Sequence, residues 1–246
     1  MAFVDTEEGH NAPRATGADI ERLRHIVTTA TQKLFAQIAG GRIRCESEAT
    51  LQLHLGRIIS TVADLELVDS RETISIELEK PLIDASGRSG RKTSRGRIDI
   101  WFRIGKGDGS KARCAIELKF FKRANHREPN NRYDAFSDIS RLERCADVAD
   151  VGFSLIATDH THYHVHPGYS DDTKAFDFRD GASYRAGTPL TYKTAMPYGD
   201  AITLGSDYEF RWTAAPSGGG LGYLLLEVAP RTIDAAPTVA EEAVDD

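Results

Sequence analysis

Three consecutive pieces decide the reading: RIDIWFRI at residues 97–104, GKGDGS at 105–110 and ARCAIELKFF at 112–121. Both outer pieces alternate apolar and polar residues, the period-2 rhythm of a strand. In the first, Ile98, Ile100, Phe102 and Ile104 share one face, and Asp99, Trp101 and Arg103 share the other. In the second, Glu117, Lys119 and Phe121 lie opposite Ile116, Leu118 and Phe120. The glycine-rich piece between them is turn chemistry and predicts a β-hairpin. A turn centred on Asp108 sets residue 99 across from residue 117. Cross-strand partners have Cβ atoms about 5 Å apart, so the two carboxylates repel unless a positive charge joins them. A hard divalent cation does so, and Lys119, on the same face, is within reach of its bound water. The plainer alternative is a charge cluster on a solvated sheet face, with Lys119 neutralising Glu117.

The flanking sequence extends this pattern. Ser47 caps a predicted helix to about residue 64, with Leu51, Leu55, Ile58 and Val62 as its apolar stripe. Glu48 lies three residues before Leu51 on that stripe, where a carboxylate is costly unless paired or cation-bound. Its simpler role is to complement the helix dipole. ETISIELEKPL at 72–82 alternates as a strand. Residues 133–149 have helical spacing, with Ala135, Ile139, Leu142 and Ala146 inward and Asp138 and Arg141 beside them as a local ion pair. VGFSLIA at 151–157 is a continuous apolar strand suited to a sheet centre. The order is helix, strand, strand, strand, helix, strand.

With Asp99 followed by Glu117-x-Lys119 on the next strand, this order resembles the PD-(D/E)XK nuclease superfamily over residues 46–160. The proline that often precedes the first acid is replaced by Ile98. The resemblance implies an α/β fold, a mixed central sheet flanked by helices in a restriction-endonuclease-like core, with extra C-terminal strands. It further implies a Mg²⁺-dependent endonuclease, with Mn²⁺ able to substitute. Asp99, Glu117 and the Leu118 carbonyl would be ligands, Lys119 would orient water or stabilise developing charge, and Glu48 would be an acid supplied by the preceding helix. Double-stranded DNA is the expected partner, in restriction, phage defence or repair. A non-catalytic nucleic-acid-binding or assembly module on the same fold and an RNA-cleaving nuclease are the alternatives.

Charge distribution supports a polyanionic partner more than net charge does. The 246-residue chain carries a formal charge of -6, which argues against a generic polyanion binder. The basic residues nevertheless gather beside the hairpin. Arg91, Lys92 and Arg95 precede it, Lys122 and Arg123 follow it, and with Arg141 they are the candidate nucleic-acid contacts. Three widely spaced cysteines make neither a disulfide framework nor a zinc ribbon. With no signal-peptide pattern and no membrane-length apolar run, a cytoplasmic location and no membrane partner are expected.

The expected organisation is a flexible leader at 1–16, one nuclease-like domain at 17–229 and a disordered acidic tail at 230–246. The leader is followed by a helix capped by Asp19, expected to serve packing or a homodimer. His160, His162, His164 and His166 alternate and would share a strand face. A C-terminal extension at 167–229 contains two strand-like runs, DYEFRWT and GYLLLEV, able to lengthen the sheet or form an appendage.

Overall fold

The computed structural model describes residues 15–82, 96–168, 170–194, 196–215 and 220–231. Helix α1 (Gly17–Ala39) starts at Thr16, whose side chain accepts from the Asp19 amide while the Asp19 carboxylate accepts from the Thr16 amide. Thr16 is therefore the cap, and Asp19 is its partner inside the first turn, a capping box rather than the single cap expected. Helix α2 (Glu48–Glu66) starts at Ser47 as expected, with Ser47 Oγ accepting from the Thr50 amide. Its buried row is Leu51, Leu55, Ile59 and Ala63. Ile58 and Val62, expected inside, are only partly buried, because the row follows a strict four-residue step.

The strands are β1 (Thr73–Pro81), β2 (Arg97–Gly105), β3 (Lys111–Phe121) and β4 (Val151–Thr158), with helix α3 (Glu128–Glu143) between the last two. Helix α4 (His162–Val165) follows, then β5 (Ser183–Tyr184), β6 (Pro189–Leu190), β7 (Ile202–Thr203), β8 (Tyr208–Glu209), β9 (Trp212–Thr213) and β10 (Gly222–Val228). The main sheet has six strands in the order β1-β2-β3-β4-β10-β9. It is mixed: β3 and β4 run parallel, joined through α3, and the other neighbours are antiparallel. Helices α1 and α2 cover one face over Ile100, Phe102, Cys114, Ile116 and Leu118, and α3 covers the other over Trp101, Ala115 and Ile156. Strand β4 is buried at every position, as its unbroken apolar sequence requires of a strand covered on both faces. GYLLLEV becomes β10 and lengthens the sheet beside β4, whereas DYEFRWT divides between β8 and β9.

Two local expectations fail. The histidine run is not a strand, because it turns into α4, where His162 stacks between His160 and His166 with ring centroids 5.6 and 5.1 Å away. Residues 122–132, a basic stretch with Pro129 that reads as loop from the sequence, are not all loop. Arg123–Asn125 forms a 3₁₀ turn, and α3 already begins at Glu128, with Pro129 in the first turn where its missing amide is harmless.

The hairpin itself opens into a fork. Partners run from Gly105↔Lys111 to Ile100↔Ile116, each pair summing to 216, the same register that sets 99 against 117. The ladder stops there. Strand β2 stays with β1 through Lys80↔Ile98 and Pro81↔Arg97, while β3 stays with β4 through Phe121↔Thr158. Beyond the split, Ile98 packs with Trp101 on the α3 side and not with Ile100, so strict alternation ends with the ladder that enforced it. The acids sit in the crotch of this fork.

Candidate functional site

Asp99 replaces the missing rungs. Its Oδ2 accepts from the Leu118 amide at 2.6 Å, so a side chain bonds the backbone group that a paired strand would have used. Gln52, one turn after Glu48 on α2, donates to the Asp99 carbonyl at 2.7 Å and to Glu79 Oε1 at 2.9 Å. Glu79 has φ 56, a left-handed conformation uncommon for a non-glycine residue, and the ladder to β2 skips it between the rungs Leu78↔Ile100 and Lys80↔Ile98. Glu48 reaches the same opening from α2, where its Oε2 accepts from the Phe120 amide at 3.1 Å. Two backbone amides at the end of β3 are thus bonded by carboxylates from separate elements.

The other wall comes from α3. Glu117, only 1% exposed, meets Arg141 Nη1 at 2.8 Å. Arg141 Nη2 also meets Asp138 Oδ1 at 3.1 Å, and Asp138 Oδ2 lies 2.6 Å from Lys119 Nζ. Lys119 Nζ donates to the Leu118 carbonyl at 3.2 Å as well. The spacing of Asp138 and Arg141 does make the local ion pair expected of it, and each residue also reaches across to β3.

Electrostatics separates this cluster from ordinary ion pairing. Burial raises Asp99 to about 6, against the opposing pull of the Leu118 amide and Lys119. Burial, reinforced by Asp138, raises Glu117 to about 9 despite Arg141. Loss of water around the Glu48 carboxyl raises it too, with Lys119 and the Phe120 amide opposing. For Lys119, burial disfavours the charge, but Asp138, Glu48 and Asp99 outweigh it and hold the ammonium firmly protonated. Burial likewise opposes the Arg141 charge, and Glu117 and Asp138 overcome that effect. Four carboxyl groups (Glu48, Asp99, Glu117, Asp138) face two cations (Lys119, Arg141), an excess of two negative charges with all four ionised and of one while Glu117, raised to about 9, keeps its proton near neutral pH.

The structure therefore brings Glu48, Asp99, Glu117, Leu118, Lys119 and Arg141 of the expected site together. Arg91, Lys92 and Arg95 lie outside the described residues. The two ends of their segment meet beside the cluster: the Leu82 amide donates to the Gly96 carbonyl at 2.9 Å, and a Cβ on Gly96 would lie 3.2 Å from Arg141 Cδ. Lys122 and Arg123 lie further along, where they border a cleft of about 230 Å³ with His126, Arg127, Glu128 and His160. Lys122 Nζ donates to the Glu46 carbonyl at 2.9 Å.

The oxygen donors suit a hard cation: the Glu48, Asp99 and Glu117 carboxyl groups and the Leu118 carbonyl. In the arrangement seen, Glu117 faces Arg141 and Asp99 faces the Leu118 amide. Among the described residues, no three His, Cys, Asp or Glu side chains are gathered closely enough to hold an ion. The donor chemistry fits such an ion, and Arg141 stands on one of its donors.

Gln52 and the link from Asp138 to Lys119 are not anticipated by the sequence pattern. Gln52 follows Glu48 by four residues, the spacing that puts both on one helix face, and that spacing is the signal that could have found it. Nothing in the sequence says that Asp138 reaches Lys119 rather than solvent. No family model matches the chain, and no curated protein or solved structure matches it either. Among the described residues, no helix is long and apolar enough to cross a membrane.

Proposed function

We propose that the chain is a divalent-cation-dependent nuclease of the PD-(D/E)XK type that hydrolyses phosphodiester bonds, with DNA as its substrate. The observation that carries this reading is the carboxylate-rich cluster at the fork, where Glu117 and Asp138 are buried, Asp99 is half-buried and Glu48 is exposed at the rim. A structural ion-pair network needs no carboxylates beyond those its cations match, whereas a site that recruits a cation does, and here Asp99 and Glu48 stand beyond the pairs made by Glu117 and Asp138. Asp99, Glu117 and the Leu118 carbonyl would hold Mg²⁺ or Mn²⁺, with Glu48 at the same opening. Bound there, such an ion lowers the pKa of a water and polarises a phosphoryl oxygen.

The chain's own residues do the rest. Lys119, held protonated by Asp138, acts as a donor and not as a base, so it orients the attacking water or stabilises negative charge developing on phosphate oxygens. Asp138 fixes the direction of that ammonium. Gln52 and the Leu118 amide fix Asp99 at its backbone and its carboxylate respectively. The basic cleft past the end of β3 gives a strand somewhere to lie. Lys122 is three residues beyond Lys119, about 10 Å at strand rise. Glu128, the acid in that cleft, is already matched by the buried Arg132, so it does not cancel the basic groups around it.

A specific observation favours a second reading, a non-catalytic nucleic-acid-binding module. Glu117 is bonded by Arg141, and no gathered set of three ligands is present among the described residues. Incubation of purified protein with supercoiled plasmid and Mg²⁺ or Mn²⁺, with EDTA as control and single-stranded RNA in parallel, separates the readings. Metal-dependent nicking that disappears in Asp99→Asn supports the nuclease. DNA retention without cleavage under every metal condition supports the module, and cleavage confined to RNA changes the substrate.

A further inference from the structure

We propose that Arg141 serves two partners in turn: it holds Glu117 and Asp138 while no metal is bound, and moves to a substrate phosphate when a divalent cation takes its place on Glu117. The inference rests on the nuclease reading and adds a step to it that the resemblance does not supply.

Three features point to exchange rather than a permanent brace. The first is placement. Glu117 and Asp138 have side chains 1% and 3% exposed, whereas that of Arg141 is 30% exposed, so the guanidinium closes the cluster from its solvent side. A group at the mouth of a site can leave it without disturbing the core beneath. The second is geometry. Arg141 uses Nη1 for Glu117 and Nη2 for Asp138, and the Asp138 contact is local to α3. Releasing Glu117 therefore needs only a change at the tip of the side chain, with the shaft still tethered near Asp138.

The third is charge. The guanidinium offsets one carboxylate charge where a divalent ion would offset two, so it competes with the ion for the same oxygen donor without replacing it in full. Lys119 is held differently. It sits deeper and is bonded by both Asp138 and the Leu118 carbonyl, so it has no reason to leave. Once free, a planar guanidinium matches a phosphate with two parallel donors, which an ammonium cannot do. Arg141 also lies against Gly96, where a Cβ would stand 3.2 Å from its Cδ.

The two roles predict opposite signs. If Arg141 competes with the ion, Arg141→Gln binds Mn²⁺ at least about tenfold more tightly in calorimetry, yet cleaves DNA more slowly at saturating metal because a phosphate contact is gone. Arg141→Lys, which keeps the charge without the fork, falls between the wild type and Arg141→Gln in affinity. Unchanged or weaker Mn²⁺ binding by a folded Arg141→Gln overturns the inference, and weaker binding identifies Arg141 as a brace that orients Glu117. Should that variant fail to fold, the wild-type chain answers the question: a Mg²⁺ titration is expected to shift the Arg141 Nε–Hε resonance out of its ion-paired position, and a resonance that stays fixed at saturating Mg²⁺ overturns exchange. Absence of any Mn²⁺ binding by both wild type and Arg141→Gln defeats the metal site itself. Binding in the wild type that is lost in Asp99→Asn, without tightening in Arg141→Gln, leaves the nuclease reading standing and removes only the exchange.

Discussion

Two Glu–Arg pairs in this molecule look alike and behave in opposite ways. Near the start of β1, Arg22 Nη1 meets Glu72 Oε1 at 2.6 Å, and at the fork Arg141 Nη1 meets Glu117 Oε1 at 2.8 Å. Arg22 pulls Glu72 down to about 2, with help from the Val68 and Asp69 amides that bond the same carboxylate. Glu117 instead rises to about 9. The difference lies in the surroundings. Glu72 is bonded by one guanidinium and two backbone amides, which together outweigh its partial loss of water. Glu117 is deeply buried and shares its neighbourhood with Asp138 and Asp99, so one guanidinium does not offset the lost hydration and the repulsion. The first pair holds structure together. The second belongs to a cluster in which carboxyl groups outnumber cations.

Activity gives the largest contrast. Asp99→Asn and Glu117→Gln should each lower Mg²⁺-dependent cleavage on the order of a thousandfold, while Glu72→Gln leaves turnover per folded molecule unchanged. Plasmid nicking under matched folding conditions checks this, and equal losses at both pairs would erase the functional distinction. Lys119→Ala follows, with cleavage down on the order of a hundredfold and DNA affinity nearly intact. Asp138→Asn should cost less, and because it removes the carboxylate that most favours the Lys119 charge, it should move the alkaline limb of the pH–rate profile to lower pH. An unmoved limb would detach Asp138 from Lys119.

Stability sharpens the comparison from the other side. A carboxyl whose folded pKa lies above its unfolded value destabilises the fold when ionised. Asp99 therefore weakens the metal-free protein above pH about 6, and the penalty vanishes as pH falls below the ordinary 3.8. Glu117 does the same between about 9 and 4.5. Asp99→Asn should raise metal-free stability at pH 8 by roughly 1–3 kcal/mol, and the gain should shrink towards pH 4. Glu72 has the reverse sign: its stabilisation is present above pH 4.5 and is lost as pH falls through about 2, so Glu72→Gln should melt earlier at pH 8. Thermal melts across pH test both, and parallel curves for the two variants would refute the assignment.

The smallest expected effect lies outside the described residues. Replacing Arg91, Lys92 and Arg95 with Ala should leave turnover at saturating DNA unchanged and reduce the slope of log affinity against log salt by up to about three. An unchanged slope would direct attention to the cleft at Lys122, Arg123 and Arg127.

The hairpin at 97–121 is legible in the sequence because period and turn chemistry are local. Alternation fixes which side chains share a face, and the glycine-rich turn fixes the register from Gly105↔Lys111 to Ile100↔Ile116, one step short of the expected pairing of Asp99 with Glu117, where the strands part. The mixed α/β architecture follows from the order of periodic segments. The histidine run misleads because its alternation with Tyr163 and Val165 mimics a strand, whereas local backbone bonds such as that from the His166 amide to the His162 carbonyl close it into a turn of helix. What tertiary structure alone decided is the fork. A sequence cannot state where two paired strands part, since that depends on β1 holding one and β4 holding the other. It cannot state that the gap admits Glu48 and Gln52 from one layer and Asp138 and Arg141 from the other, because those residues meet only when helices from opposite faces converge on it. Nor does it contain the charge imbalance, which arises from desolvation of groups brought together across the fold rather than from their order along the chain.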